Sequence, residues 1–111
     1  MNVCQKDVVL LPYPFSDFEG EKVRPAIVVS NNDLNMKSED CVMVPLTGVI
    51  KDESYSVLIK QENLAFGKLI KPSRARADKI LAVDKSIIIL RIGAINDRTF
   101  EEIKSEIGKI F

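Results

Sequence analysis

The residues of this chain best suited to chemistry are a few arginines and hydroxyls set against short apolar runs. Arg24 stands before Pro25, between a polar loop (residues 15–22) and an apolar run (residues 26–29). Proline disfavours the α region for the residue before it, so Arg24 is expected to be extended at a strand mouth. A guanidinium is always charged and offers its donors in a planar fork matched to phosphate. A fixed arginine can stabilise the negative charge that builds on non-bridging oxygens when a phosphodiester is cleaved. A surface arginine paired with Asp17, Glu19 or Glu21 explains the same residue, and such exposed pairs are common. Thr47 brings a hydroxyl that can donate to a phosphate oxygen, or can simply bind backbone at a strand end. Residues 68–79 hold Lys68, Lys71, Arg74, Arg76 and Lys79 against a single acid, Asp78. In an extended segment Arg74 and Arg76 share a face, where they could grip a nucleic-acid backbone and stack on unpaired bases. A solvated edge strand protected by its charge is the plainer account. Phe15 and Ser16 in the first loop could meet a base and a phosphate, but Phe15 suits the rim of a core equally well.

The absence of histidine narrows the mechanism more than any motif does. It excludes Ser–His and Cys–His nucleophile pairs, two-histidine ribonuclease chemistry and the usual zinc sites. An enzyme built on this chain must work with Arg, Lys, Thr, Ser, Asp, Glu or Tyr. With 16 basic and 16 acidic residues the net charge is zero, so any nucleic-acid surface must be local. The 111 residues suffice for one domain with its own core, residues 1–111, and 46% hydrophobic content fits a globular chain. Cys4 and Cys41 lack C-x-x-C spacing and read as free thiols, with Cys41 buried in a strand. No apolar run is long enough to span a membrane and no signal-peptide pattern opens the chain, so a soluble cytoplasmic protein is the default.

Several short strands must position these groups. Residues 7–11 and 26–29 read as the first two, joined by the polar loop with its turn-favouring Ser16, Asp17 and Gly20. Residues 31–40 are polar and read as a loop with a short helical turn. Residues 41–46 form an apolar strand, with Pro45 placing it near an edge or ending it. After a charged turn at 51–54, residues 55–59 alternate, with Tyr55, Val57 and Ile59 on one face. Residues 61–66 suggest a helical turn and 68–70 a new strand. Pro72 and Ser73 interrupt it before residues 74–83 continue extended, and 87–92 is an apolar run of strand length. The period then changes. Phe100, Ile103, Ile107 and Ile110 form the stripe of an amphipathic helix, capped by Asn96 or Asp97, or through a Thr99–Glu102 box. Many short strands and one closing helix predict a mainly β protein with helices, built as a small, strongly bent sheet or barrel.

Three blocks also carry a resemblance. DVVLLPYPFSD with GEKVRPAIVVSN, then VPLT (residues 44–47), then KPSRARADK (residues 71–79) are similar, in this order, to the MazF/PemK-type toxins of type II toxin–antitoxin pairs. The resemblance implies an SH3-like small barrel of the MazF/PemK/CcdB kind with a C-terminal α-helix. It also implies a homodimer and a cognate antitoxin, and the apolar run at 87–92 would offer dimer surface or an ordinary core strand. It further implies a sequence-specific endoribonuclease acting on single-stranded RNA by attack of the ribose 2′-OH, with no metal or cofactor. In that reading Arg24 and Thr47 are the catalytic pair, and Phe15, Ser16, Arg74, Arg76, Asp78 and Lys79 bind RNA. Some relatives use an Arg-x-Asp, which Arg76-Ala77-Asp78 matches, but with a histidine that this chain lacks. The general base stays open between Asp78, Glu21 and an arginine. Two other functions fit the same barrel: a CcdB-like topoisomerase inhibitor working through its C-terminal helix, and a nucleic-acid-binding regulator without catalysis.

Overall fold

The computed structural model describes residues 2–12, 23–48 and 51–111. In chain order these form β1 (Asp7–Pro12), β2 (Val23–Val28), α1 (Asn32–Lys37), β3 (Asp40–Thr47), β4 (Ser56–Ile59), β5 (Leu64–Gly67), β6 (Ser73–Arg76), β7 (Leu81–Asp84), β8 (Leu90–Ile95) and α2 (Asp97–Gly108). The strands make one antiparallel sheet in the order β4-β6-β3-β2-β1-β8-β5, with β7 also pairing with β3. The sheet curls into a half-barrel, and among the described residues β4, β5 and β7 are each paired on one side only. The expected bent sheet with a terminal helix is therefore what forms.

The apolar runs of β1, β2 and β3 are continuous because both faces of the curled sheet are covered. Val8, Ile27, Val44 and Leu46 point to one core, which Ala75, Ile59 and the helix residues Phe100 and Ile103 complete. Their neighbours Val9, Leu11, Ala26, Val28 and Met43 point to a second core with Cys41, Val83 and Ile88. Helix α2 lays its stripe on the first core. Its cap is Asn96, whose side chain accepts from the Thr99 amide at 2.9 Å. The short helix α1 appears within the polar stretch as expected, capped by Asn31.

The structure corrects several expectations. Pro45 lies in a central strand, not near an edge, although the strand does end two residues later at Thr47. On one side β3 changes partner: residues 40–43 pair with β7, whereas Leu46 and Thr47 pair with β6. Pro45 falls at this interruption of the ladder, a position that tolerates its missing N–H. Residues 74–83 are not continuously extended. From Met43 to Leu46 the sheet advances three residues along β3, whereas the partner chain advances six, from Ala75 to Leu81. A 3-10 turn at Ala77–Lys79 takes up the difference. Residues 61–66 split into a 3-10 turn (Gln61–Asn63) and strand β5, and no strand forms at 68–70. The run at 87–92 divides between a 3-10 turn (Lys85–Ile87) and β8. Val57 and Ile59 share a buried face, but Tyr55 does not join them: it precedes β4 with φ 60° and is exposed.

Candidate active site

The sequence-predicted groups converge where β3 meets β6. Leu46 pairs with Ala75 and Thr47 with Arg74. Leu46, Ala75 and Ser73 are buried, so strand alternation sends Thr47, Arg74 and Arg76 to the opposite face. There Thr47, Arg74, Arg76 and Glu53 line a pocket of about 140 Å³. Pairing of β6 with β4, Leu58 opposite Arg74 and Ser56 opposite Arg76, closes the outer side.

Each guanidinium is held by acidic or hydroxyl neighbours. Arg74 is 13% exposed in its side chain; its Nη1 donates to Ser56 Oγ at 3.3 Å and its Nη2 lies 3.5 Å from Asp52 Oδ1. Its Nε is buried with no hydrogen-bond partner. A buried donor left in that state destabilises a structure, and an anionic oxygen entering the pocket would satisfy it. Arg76 donates from Nε and Nη2 to both oxygens of Asp78, at 2.9 and 2.7 Å, and its Nη2 is 3.7 Å from Glu53 Oε2. Those hydrogen bonds hold the Asp78 carboxyl below its ordinary pKa, against a smaller opposing effect of burial. Asp78 is thus an anion that orients Arg76, and a weak proton acceptor.

Arg24 does not line this pocket. It lines a cleft of about 290 Å³ together with Leu46, Gly48, Leu69, Ile70 and Lys71. Leu46 and Gly48 are the chain neighbours of Thr47, and the two recesses share no lining residue. Carrying the β2–β3 register two residues past its last pair, Ala26 opposite Pro45, sets Arg24 across from Thr47. Arg24, Thr47 and Arg74 thereby fall in one row over three adjacent strands. The absence of a side chain at Gly48 admits a further cation. A Cβ there would stand 2.7 Å from Lys71 Nζ.

Phe15, Ser16 and Glu21 lie outside the described residues. Lys79 is exposed on the turn after β6 and lines neither recess. The basic concentration expected at 68–79 is real, but its two arginines meet three carboxylates, Asp52, Glu53 and Asp78, not one. Asp52 and Glu53 carry no site signal of their own in the sequence, because they lie in what reads as a charged turn. The usable signal was their place just ahead of the alternating strand that pairs with β6.

The sequence model of the PemK-like, MazF-like toxins of type II toxin–antitoxin systems matches residues 5–111. The chain belongs to this family. Solved structures agree on the fold of the toxin. MazF from Deinococcus radiodurans superposes with a TM-score of 0.79 at 19% identity, covering 99% of this chain and 96% of that one. An endoribonuclease in complex with its cognate antitoxin, from Mycobacterial species, gives 0.76 at 20% identity over 96% and 92% of the two chains. The Mycobacterium tuberculosis toxin MazF-mt6 gives 0.75 at 14% identity over 93% of each. A comparison with curated proteins returned no match. Among the described residues no helix of the toxin is long and apolar enough to cross a membrane.

Proposed function

We propose that this toxin is a sequence-specific, metal-independent endoribonuclease that cuts single-stranded RNA in the cytoplasm. The ribose 2′-OH attacks the adjacent phosphorus and leaves a 2′,3′-cyclic phosphate and a 5′-OH end. Arg24 stabilises charge on the phosphorane and Thr47 binds a phosphate oxygen. Arg74 and Arg76 hold the strand, with Asp78 fixing the Arg76 fork. Phe15, Ser16 and Lys79 contribute further RNA contacts. One observation supports this reading above the others: Thr47, Arg74 and Arg76 share a pocket, and Arg24 lines a cleft with Leu46 and Gly48, the chain neighbours of Thr47. Donors clustered in this way suit a phosphate.

The toxin works as a homodimer and is silenced by a cognate antitoxin whose acidic, disordered tail covers the groove. Partly exposed Ile89 and Leu90 offer apolar surface for the dimer. Incubation of the purified protein with a long single-stranded RNA in EDTA, with product ends mapped, tests the activity. Discrete cuts with 5′-OH ends are expected. The Arg24→Ala variant should cut about 10²–10³-fold more slowly, as for loss of one transition-state donor. Cutting by Arg24→Ala at the wild-type rate overturns the assignment.

A further inference from the structure

We infer that Glu53 is the general base of RNA cleavage in this toxin, taking the proton of the attacking 2′-OH. The inference rests on the ribonuclease reading above and supplies the group that a chain without histidine leaves open. Three described carboxylates reach the arginines of the pocket. Asp78 has both oxygens engaged by Arg76, at 2.9 and 2.7 Å, and is aimed at the guanidinium fork. Asp52 is 94% exposed and lies outside the pocket lining. Glu53 alone among them lines the same pocket as Thr47, Arg74 and Arg76. Its Oε2 is 3.7 Å from Arg76 Nη2, close enough to be attracted and too far for a hydrogen bond.

The chain around Glu53 is built to hold it there. Tyr55 adopts φ 60°, an uncommon conformation for a residue with a side chain, and it turns the backbone sharply before β4. Ser56 Oγ donates to the Glu53 carbonyl at 2.6 Å. The Ala77 amide donates to the Tyr55 carbonyl at 2.9 Å. The segment bearing Glu53 is thus tied both to its own strand and to the turn that carries Asp78. A phosphate held by Arg74 and Arg76 would bring its ribose 2′-OH beside the Glu53 carboxylate.

In the step itself, Glu53 accepts the 2′-OH proton as the 2′-oxygen forms its bond to phosphorus. The bond from phosphorus to the 5′-oxygen breaks, and its electron pair leaves on that oxygen, which takes a proton from water. Glu53 then returns its proton to water, so no other reactant is consumed.

The test is single-turnover cleavage of one RNA oligonucleotide in EDTA, from acidic to mildly alkaline pH. Wild type, Glu53→Gln and Asp78→Asn are compared, with RNA affinity and circular dichroism measured alongside. Glu53→Gln is expected to cut about 10²–10⁴-fold more slowly and to lose the acid limb of the pH–rate profile, with RNA affinity nearly unchanged. Asp78→Asn is expected to keep that limb. Cutting by Glu53→Gln at the wild-type rate or faster overturns the inference. So does slower cutting with the acid limb intact, which would mean that Glu53 only positions Arg76. If the Gln variant does not fold, Glu53→Asp takes its place: a slower rate with a shifted limb supports the base, and an unmoved limb overturns it. A wild type that leaves RNA intact refutes the ribonuclease reading itself, whereas an active wild type matched by Glu53→Gln refutes only the role of Glu53.

Discussion

Arg74 contributes a nearly buried guanidinium whose Nε meets no acceptor, so the residue is better suited to a bound anion than to the free protein. Truncating it should therefore weaken RNA binding with little effect on the fold. For Arg74→Ala, RNA titrations over a series of salt concentrations should show lower affinity. The slope of log K against log salt should fall by about 0.7, the loss of one phosphate contact on a single strand. Asp78 makes a prediction of opposite kind, because Arg76 lowers its pKa in the folded state. A carboxyl of depressed pKa stabilises the fold above its unfolded pKa of about 3.9, and the contribution disappears as pH falls through the folded value. Urea midpoints of Asp78→Asn and wild type should differ by under about 1 kcal/mol at neutral pH, given the exposure of the pair. The two should converge in strong acid. At this scale the shared face of Arg74 and Arg76 was legible in the sequence, because strand alternation decides which way they face, whereas Arg24 and Thr47 stood out only through the family resemblance. Glu53 was not legible, since its reach depends on the left-handed turn at Tyr55 and on the β4–β6 register.

Among the elements, β5 and β8 approach closely where Gly67 pairs with Gly93. Gly67 has φ +91°, and a Cβ there would stand 2.2 Å from the Ile92 carbonyl oxygen. Gly67→Ala should destabilise the protein by more than about 1 kcal/mol, read as a melting temperature lower by several degrees. Removal of the α2 cap by Asn96→Ala should cost about 1 kcal/mol in the same measurement. The helix could be read directly, because Phe100, Ile103 and Ile107 keep helical spacing, but the choice of Asn96 over Asp97 or Thr99 as its cap could not, and Ile110 lies beyond its last turn. The breaks within the extended segments could not be read either. The turn at Ala77–Lys79 exists because two consecutive strands share one side of β3, and β8 begins within residues 87–92 only where Leu90 pairs with Leu10. Both are properties of pairing, which a single strand's pattern does not contain.

For the whole molecule, two cores on either side of one curled sheet divide the thiols sharply. Cys4 is exposed and Cys41 fully buried. Burial pushes the Cys41 thiol up in pKa, with Asp40 adding to the shift and Lys85 opposing it. A thiol reagent followed by mass spectrometry should label one cysteine in the native protein and both in urea; fast native labelling of Cys41 would contradict the second core. Another property follows from the seam between β3 and β6. It consists of two registered pairs, and among the described residues only the edge strand β4 lies beyond β6. The arginines thus ride on a two-stranded leaf, whereas Thr47 belongs to the central strands. Short ladders at a sheet margin open at lower free energy than the core. Native-state amide exchange should therefore release β4 and β6 before β1, β2 and β3. Assembly of the toxin's site would then be an equilibrium in its own right, one that a bound strand or a docked partner can pull closed while the rest of the molecule never unfolds.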